Sequence, residues 1–218
     1  MTTRAQLRAT IRTELNDSGG SPLWADALLN ELIAQAIRRY GEQLPEEAST
    51  TIAVVADQAA YALPARFLRA IRVEQPEDTE RVGDPRHPWS YRVFAGQLVL
   101  DPAPTQAGGD QDITLDYLRF YAEPAADGDV LATPSPDDDV LVALVCARAL
   151  AYLAMDESKR QRFERQRGSD PREIAAAYEG RAGERMALRA RLVRMGALTA
   201  TDPGSLDPGP LQSTDPGP

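Results

Sequence analysis

The stretch that most limits the fold is "SPDDDVLVALVCARALAYLAMD", Ser135–Asp156. From Val140 to Met155 it is apolar nearly all round, with Arg148 its only charge. A helix without a polar face has to be surrounded by other elements, so this one is expected at the centre of the fold. Its start is written in capping chemistry. Ser135 is placed to cap, Pro136 fits the first turn, and Asp137 and Asp138 suit the helix dipole and the free N–H groups there. "ESKRQRFERQRG" is expected to continue this helix as a polar segment and to stop at Gly168.

The partners of such a helix are read from periodicity. Leu7, Ile11 and Leu15 follow at spacing four and predict a short amphipathic helix over 3–16, ended by "NDSGGSP". A second helix is expected over 22–43, with Ser21 as cap and Pro22 in its first turn. Trp24, Leu28, Leu32, Ala36 and Tyr40 form its stripe, widened by Leu29, Ile33 and Ile37. Trp24 is expected in the core. At the other end, "SDPRE" repeats the start signal, with Asp170 as cap, Pro171 at the first position and Glu173 at the third. That helix is expected over 171–195, with Gly196 just beyond. Ile174, Tyr178, Leu188, Leu192 and Met195 supply its apolar side, and Arg181, Arg185 and Arg189 a second stripe at spacing four.

The middle is different. "TTIAVV", "YALP" and "RAIRVEQ" read as short strands, and "YRVFAGQLVLD" as a tight hairpin pivoting near Ala95-Gly96. "DITLDYLRFYA" alternates Ile113, Leu115 and Tyr117 against Thr114 and Asp116, the clearest strand signal. The expected fold class is therefore α+β, mainly α. It has a four-helix core, a small antiparallel β insertion over 50–122, and an extended C-terminal tail. Residues 1–198 form one domain in this reading. Residues 199–218, rich in Pro, Gly and Asp, lack a core-forming pattern.

Charge and motif narrow the function. The whole-chain net charge is −9, which argues against a general nucleic-acid binder. The charge is uneven: Lys159 to Arg194 hold eleven Lys and Arg against five Asp and Glu. One cysteine, Cys146, excludes a disulfide framework within the chain and a cysteine zinc site; its apolar surroundings predict a packed, inert thiol. "MTTRAQLRAT" has no apolar h-region, no run reaches bilayer-spanning length, and the expectation is a soluble intracellular protein. His87 is the only histidine and sits in a loop beside Trp89, with no nucleophile-elbow pattern near it. No phosphate-binding or dinucleotide fingerprint is present, and Gly108-Gly109 reads as an ordinary loop pair. Asp137-Asp138-Asp139 could attract a hard cation, but adjacent helical residues point apart and capping accounts for the first two. No enzyme, metal or cofactor is expected. "KRQRFERQR" reads first as a solvated face paired through Glu157 and Glu164, and second as a phosphate-touching or partner surface. The regular Arg181/Arg185/Arg189 stripe on a long terminal helix is read as a subunit contact, because arginine forks suit carboxylates across an interface.

Several phrases in order carry a family resemblance. "SPLWADALLNELIAQAIRRYGEQLP", with Trp24, Ile33, Ala36, Tyr40 and Pro45, resembles the opening of tailed-bacteriophage head-to-tail connector, or adaptor, proteins. "YALPARFLRAIRV", "GQLVLDPAP" with "ITLDYLRFYAEP", and "DDDVLVALVCARALAYLAMD" resemble that family's strand-Leu-Pro-strand segment, paired strands and buried third helix. The resemblance covers most of residues 5–196. One departure is Ala25, where a capping Ser or Thr is usual.

The resemblance implies a non-enzymatic virion protein in the neck, assembled in the host cytoplasm. It implies a homo-oligomeric ring, commonly a dodecamer, beneath the portal protein, binding a downstream tail or neck protein. Genomic DNA would pass through its channel without sequence-specific binding, and no membrane is involved. The C-terminal tail is expected to dock on another chain through Leu206 and Leu211. The competing readings are another neck protein, a head-completion or tail-completion factor, and, further off, a helical nucleic-acid-binding regulator using "KRQRFERQR".

Overall fold

The computed structural model describes residues 1–17, 22–74, 90–101, 103 and 112–200. Its elements in chain order are α1 (Arg4–Glu14), α2 (Asp26–Gln43), β1 (Glu46–Ile52), β2 (Ala60–Ala62), β3 (Phe67–Glu74), β4 (Ser90–Phe94), β5 (Gln97–Asp101), β6 (Ile113–Arg119), α3 (Asp138–Met155), α4 (Glu157–Arg167) and α5 (Pro171–Ala200). A single 3-10 turn, Ser135–Asp137, leads into α3.

As its composition requires, α3 is central. Leu141, Val145, Cys146 and Ala149 are fully enclosed, while Asp139 and Arg148, with Tyr152 and Met155 toward its end, are exposed. It packs against α1, α2 and α4, and α5 lies along it. Leu7 and Ile11 of α1 and Leu29, Ile33 and Ile37 of α2 close over it. The Trp24 indole N–H donates to the Ala149 carbonyl of α3 at 3.1 Å, so this buried ring has a polar partner as well as an apolar seat. Burial pushes the Cys146 thiol up to about 12, in keeping with an inert packed residue.

The fold class departs from the expected four helices with a small insertion. Among the described residues there are five helices, and six strands form two three-stranded antiparallel sheets, ordered β1-β6-β3 and β2-β5-β4. Two physical features account for the difference. First, β1 begins at Glu46, not residue 50, because Glu46 faces Arg119 in register and the two charges form a forked pair at 2.8 and 2.9 Å. Second, the run expected to be one helix over 136–167 breaks at Asp156. That residue is extended (φ −97°, ψ 103°), and its carboxylate accepts from the N–H of Ser158 and Lys159 at 3.1 and 3.2 Å. It ends α3 and caps α4.

The strand chemistry explains the sheets. Ile113, Leu115 and Tyr117 of β6 are buried and alternate with half-buried Thr114 and Asp116. Ala95 and Gly96 both take positive φ, 49° and 73°, the two-residue hairpin turn its sequence position suggested. Ile113 also enters the core of the second sheet with Val54, Tyr61, Leu98 and Leu100, tying the two sheets together.

Helix ends differ from expectation in three further places. α2 starts at Asp26, with Ala25 in the cap position and no side-chain cap bond; Ser21 lies outside the described residues. Asp26 in its first turn supplies the favourable charge instead. α3 likewise has no side-chain cap, because Ser135 belongs to the 3-10 turn. α5 runs through Gly196 to Ala200. Its start is as expected, with Asp170 accepting from the Arg172 N–H at 2.8 Å, and Gly168 closes α4 in the left-handed region at φ 67°.

Candidate functional site

The arginine stripe and the aspartate run face each other. The three aspartates at the start of α3 go three ways. Asp139 takes Arg185 at 2.5 Å, Asp138 accepts from the Thr2 hydroxyl, and Asp137 takes Arg189 at 3.3 Å and the Tyr40 hydroxyl at 2.6 Å. Arg181 lies over the Tyr178 ring, 5.2 Å from its centroid. Tyr178 in turn donates to Glu14 at 3.1 Å. Burial, then the bond to Asp137, raises the Tyr40 phenol far above its ordinary value; burial raises Tyr121 and brings Tyr178 to about 12. Their rings pack, Tyr40 against Tyr121 at 5.5 Å, where α2 meets the segment after β6.

The stripe is anchored without being covered. Arg185 and Arg189 keep 48% and 40% of their side-chain surface in solvent. Beside them, Leu188, Leu192 and Val193 are 58%, 52% and 45% exposed. The sequence puts Leu188 and Leu192 on the apolar side of this helix; both are exposed, and Ala175, Ala182 and Met186 are buried. The result is a long helix that presents leucine, valine and arginine together over 185–194, the residue types that mark contact surfaces.

A cleft of about 320 Å³ opens between this part of α5, the end of α2 and the β1-β6-β3 sheet. Leu44, Pro45, Leu118, Tyr121 and Val193 give it apolar walls, and Arg69, Arg189 and Arg194 its cationic ones. Neither the cleft nor the α3–α5 ion pairs could be found from spacing, because their residues are separated by dozens of positions. The oppositely charged "DDD" and arginine stripe were the only signal.

The other candidate residues are accounted for more simply. In "KRQRFERQR", Arg160 pairs with Glu157 at 2.6 Å and Glu164 at 3.5 Å, Phe163 is buried, and Arg167 donates to the Leu15 carbonyl at 3.0 Å. This segment reads as a solvated, self-paired face. His87, Leu206 and Leu211 lie outside the described residues. Among the described residues, no group of acidic, His and Cys side chains gathers as a metal site, and no helix is long and apolar enough to cross a membrane.

A second cluster was not anticipated. Arg4 and Arg8 converge on Asp127 at 2.8 and 2.7 Å, and Arg12 bridges Asp17 and Asp26 at 2.5 Å each. These pairs fasten α1 to the segment before α3 and to the start of α2, and they hold the Asp127 carboxyl at about 2.

No curated protein matches the chain. A family model described as SU10 adaptor protein matches residues 2–203, nearly the whole described fold, including α5 with its stripe and the α3 aspartates. The order of elements and this match agree: the chain belongs to the SU10 adaptor protein family, a family of phage head-to-tail adaptors.

Proposed function

We propose that this protein is a structural virion component that forms the head-to-tail adaptor ring beneath the portal, extends the DNA channel and offers the tail its attachment surface. Membership in an adaptor family implies interaction with other phage virion proteins. The observation that carries the finer reading is the last part of α5, where Leu188, Leu192 and Val193 lie exposed beside half-exposed Arg185 and Arg189. Such a surface on a terminal helix suits a contact with a neighbouring subunit or the portal. Arg181, Arg185 and Arg189 are its polar part; Arg185 and Arg189, though paired with Asp139 and Asp137, keep about half of their side-chain surface in solvent, where a guanidinium can share a carboxylate of the next chain. Residues 201–218 dock on another chain in the assembled particle through Leu206 and Leu211. The acidic balance of the chain outside its basic segment Lys159–Arg194 suits a channel wall that repels DNA and limits sticking during passage.

The test is the mass of the purified protein in solution, alone and with its portal. Assembly into a ring, or a monomer that joins the portal ring, supports the reading. A strict monomer that ignores the portal would overturn it. In a ring, an Arg181 far from every adjacent subunit would remove the stripe from the contact.

A further inference from the structure

We propose that the cleft between α5 and the β1-β6-β3 sheet is the seat of this chain's own residues 201–218 in the free protein. Three observations meet here. The cleft has apolar walls from Leu44, Pro45, Leu118, Tyr121 and Val193, which suit an inserted leucine. Its rim is cationic: among the described residues, neither Arg69 nor Arg194 has a carboxylate partner, and Glu47 is the one acidic residue lining the cleft. Residues 201–218 match this chemistry. They contain Leu206 and Leu211, the acids Asp202, Asp207 and Asp215, and no Lys or Arg.

Length decides whether the segment can reach. Arg189 to Ala200 spans about 16 Å along the helix at about 1.5 Å per residue. Asp202-Pro203-Gly204 is a turn sequence following directly on the helix end. Seven extended residues beyond Gly204 cover about 23 Å, enough to carry Leu211 back alongside Ala190. The stretch Leu206–Leu211 then runs past Arg194, Val193 and Arg189, with Asp207 near Arg194. Pro208 and Pro210 restrict the free chain and so lower the entropy lost on seating it. The inference concerns the free chain and does not depend on ring formation. In a ring, the same segment could be exchanged into the identical cleft of a neighbour, as swapped elements are.

The full-length chain tests this by cross-linking. Val193→Cys is combined with Leu206→Cys or with Leu211→Cys, and each pair is treated with a short bis-maleimide. Cys146 is buried and does not compete. A control pairs each tail cysteine with Lys159→Cys on α4, at the far end of α5. The expected result is a monomer-sized, internally linked product at least tenfold above the control for one of the two pairs. Arg194→Glu should reduce that yield severalfold, and adding Asp207→Arg should restore it. Yields equal to the control overturn the seat. Products that are mainly linked dimers overturn its occupation by the same chain, whatever the oligomeric state with the portal proves to be.

Discussion

Tyr40→Phe isolates the contact on which the α2–α3–α5 junction turns. It removes one hydroxyl and keeps the ring, which is buried and packed against Tyr121. The lost bond is a 2.6 Å donation to the carboxylate of Asp137, itself only 6% exposed. A hydrogen bond to a charged group contributes about 1.5–3 kcal/mol, and its removal leaves a buried acceptor short of a donor. Asp137 retains Arg189 at 3.3 Å, so the middle of that range, about 2 kcal/mol, is expected. For a chain of this size that is a fall in Tm of roughly 4–8 °C. Urea unfolding followed by circular dichroism measures it. Asp137→Asn and the double variant complete a cycle, with a coupling of about 1–2 kcal/mol expected. The pH dependence gives a second readout. The Tyr40 phenol is raised in the folded state, so the folded chain holds its proton where the unfolded chain, with an ordinary phenol near 10, has released it. The associated stability is present below about pH 10 and is lost as pH rises further. Tyr40→Phe should flatten that alkaline decline, leaving the parts due to the raised Tyr121 and to Tyr178 and Cys146, the last two raised to about 12. Stability within about 0.5 kcal/mol of wild type, with an unchanged alkaline limb, would refute the reasoning, since that is the scatter of neutral surface changes.

Other outcomes follow from the same structure. Leu144→Ala on α3 should cost about 2–5 kcal/mol by calorimetry or denaturant, whereas Leu188→Ala on exposed α5 should stay within about 0.5 kcal/mol and weaken only assembly. Asp156→Ala removes the cap of α4 and should raise hydrogen exchange in its first turn. The Asp156 carboxyl sits at about 2, so its stabilisation is present above the ordinary carboxylate range and lost as pH falls toward 2; the variant should show a shallower acid limb. Deleting residues 201–218 should leave the circular dichroism of the remaining fold unchanged while reducing retention on the portal in a pull-down.

How much of this could be read in advance depended on whether the information was local. The central position of α3, the alternation of β6, the Ala95-Gly96 turn and the start of α5 are all written within a few residues, by periodicity or a cap. The break at Asp156 was also local, but the helical propensity of "ESKRQRFERQR" hid it: an Asp two residues before a Ser reads as a helix surface until the backbone is seen to bend. The start of β1 was missed because "EEAS" looks too polar for a strand; Glu46 belongs there only because Arg119, far along the chain, stands opposite. The arginine stripe was visible, yet its partners were not. Asp137 and Asp139 meet Arg189 and Arg185 through packing of α5 on α3, which no spacing rule encodes. Periodicity puts Leu188 and Leu192 on the apolar side of α5, and their exposure shows that a helical apolar stripe need not face its own chain's interior.

The single bent residue between α3 and α4 has a consequence for how this chain tolerates changes in length. In an uninterrupted helix, one inserted residue turns everything beyond it by about 100°. Here the extended backbone at Asp156 and the left-handed Gly168 bound α4 at both ends, so its phase is set independently of its neighbours. Phe163 and the Arg167 bond to the Leu15 carbonyl are what fix its orientation. An insertion outside those two anchors would shift the exposed face of α4 while leaving the buried faces of α3 and α5 in step. That makes α4 the part of the helical framework where related chains can vary in length at least cost to the core.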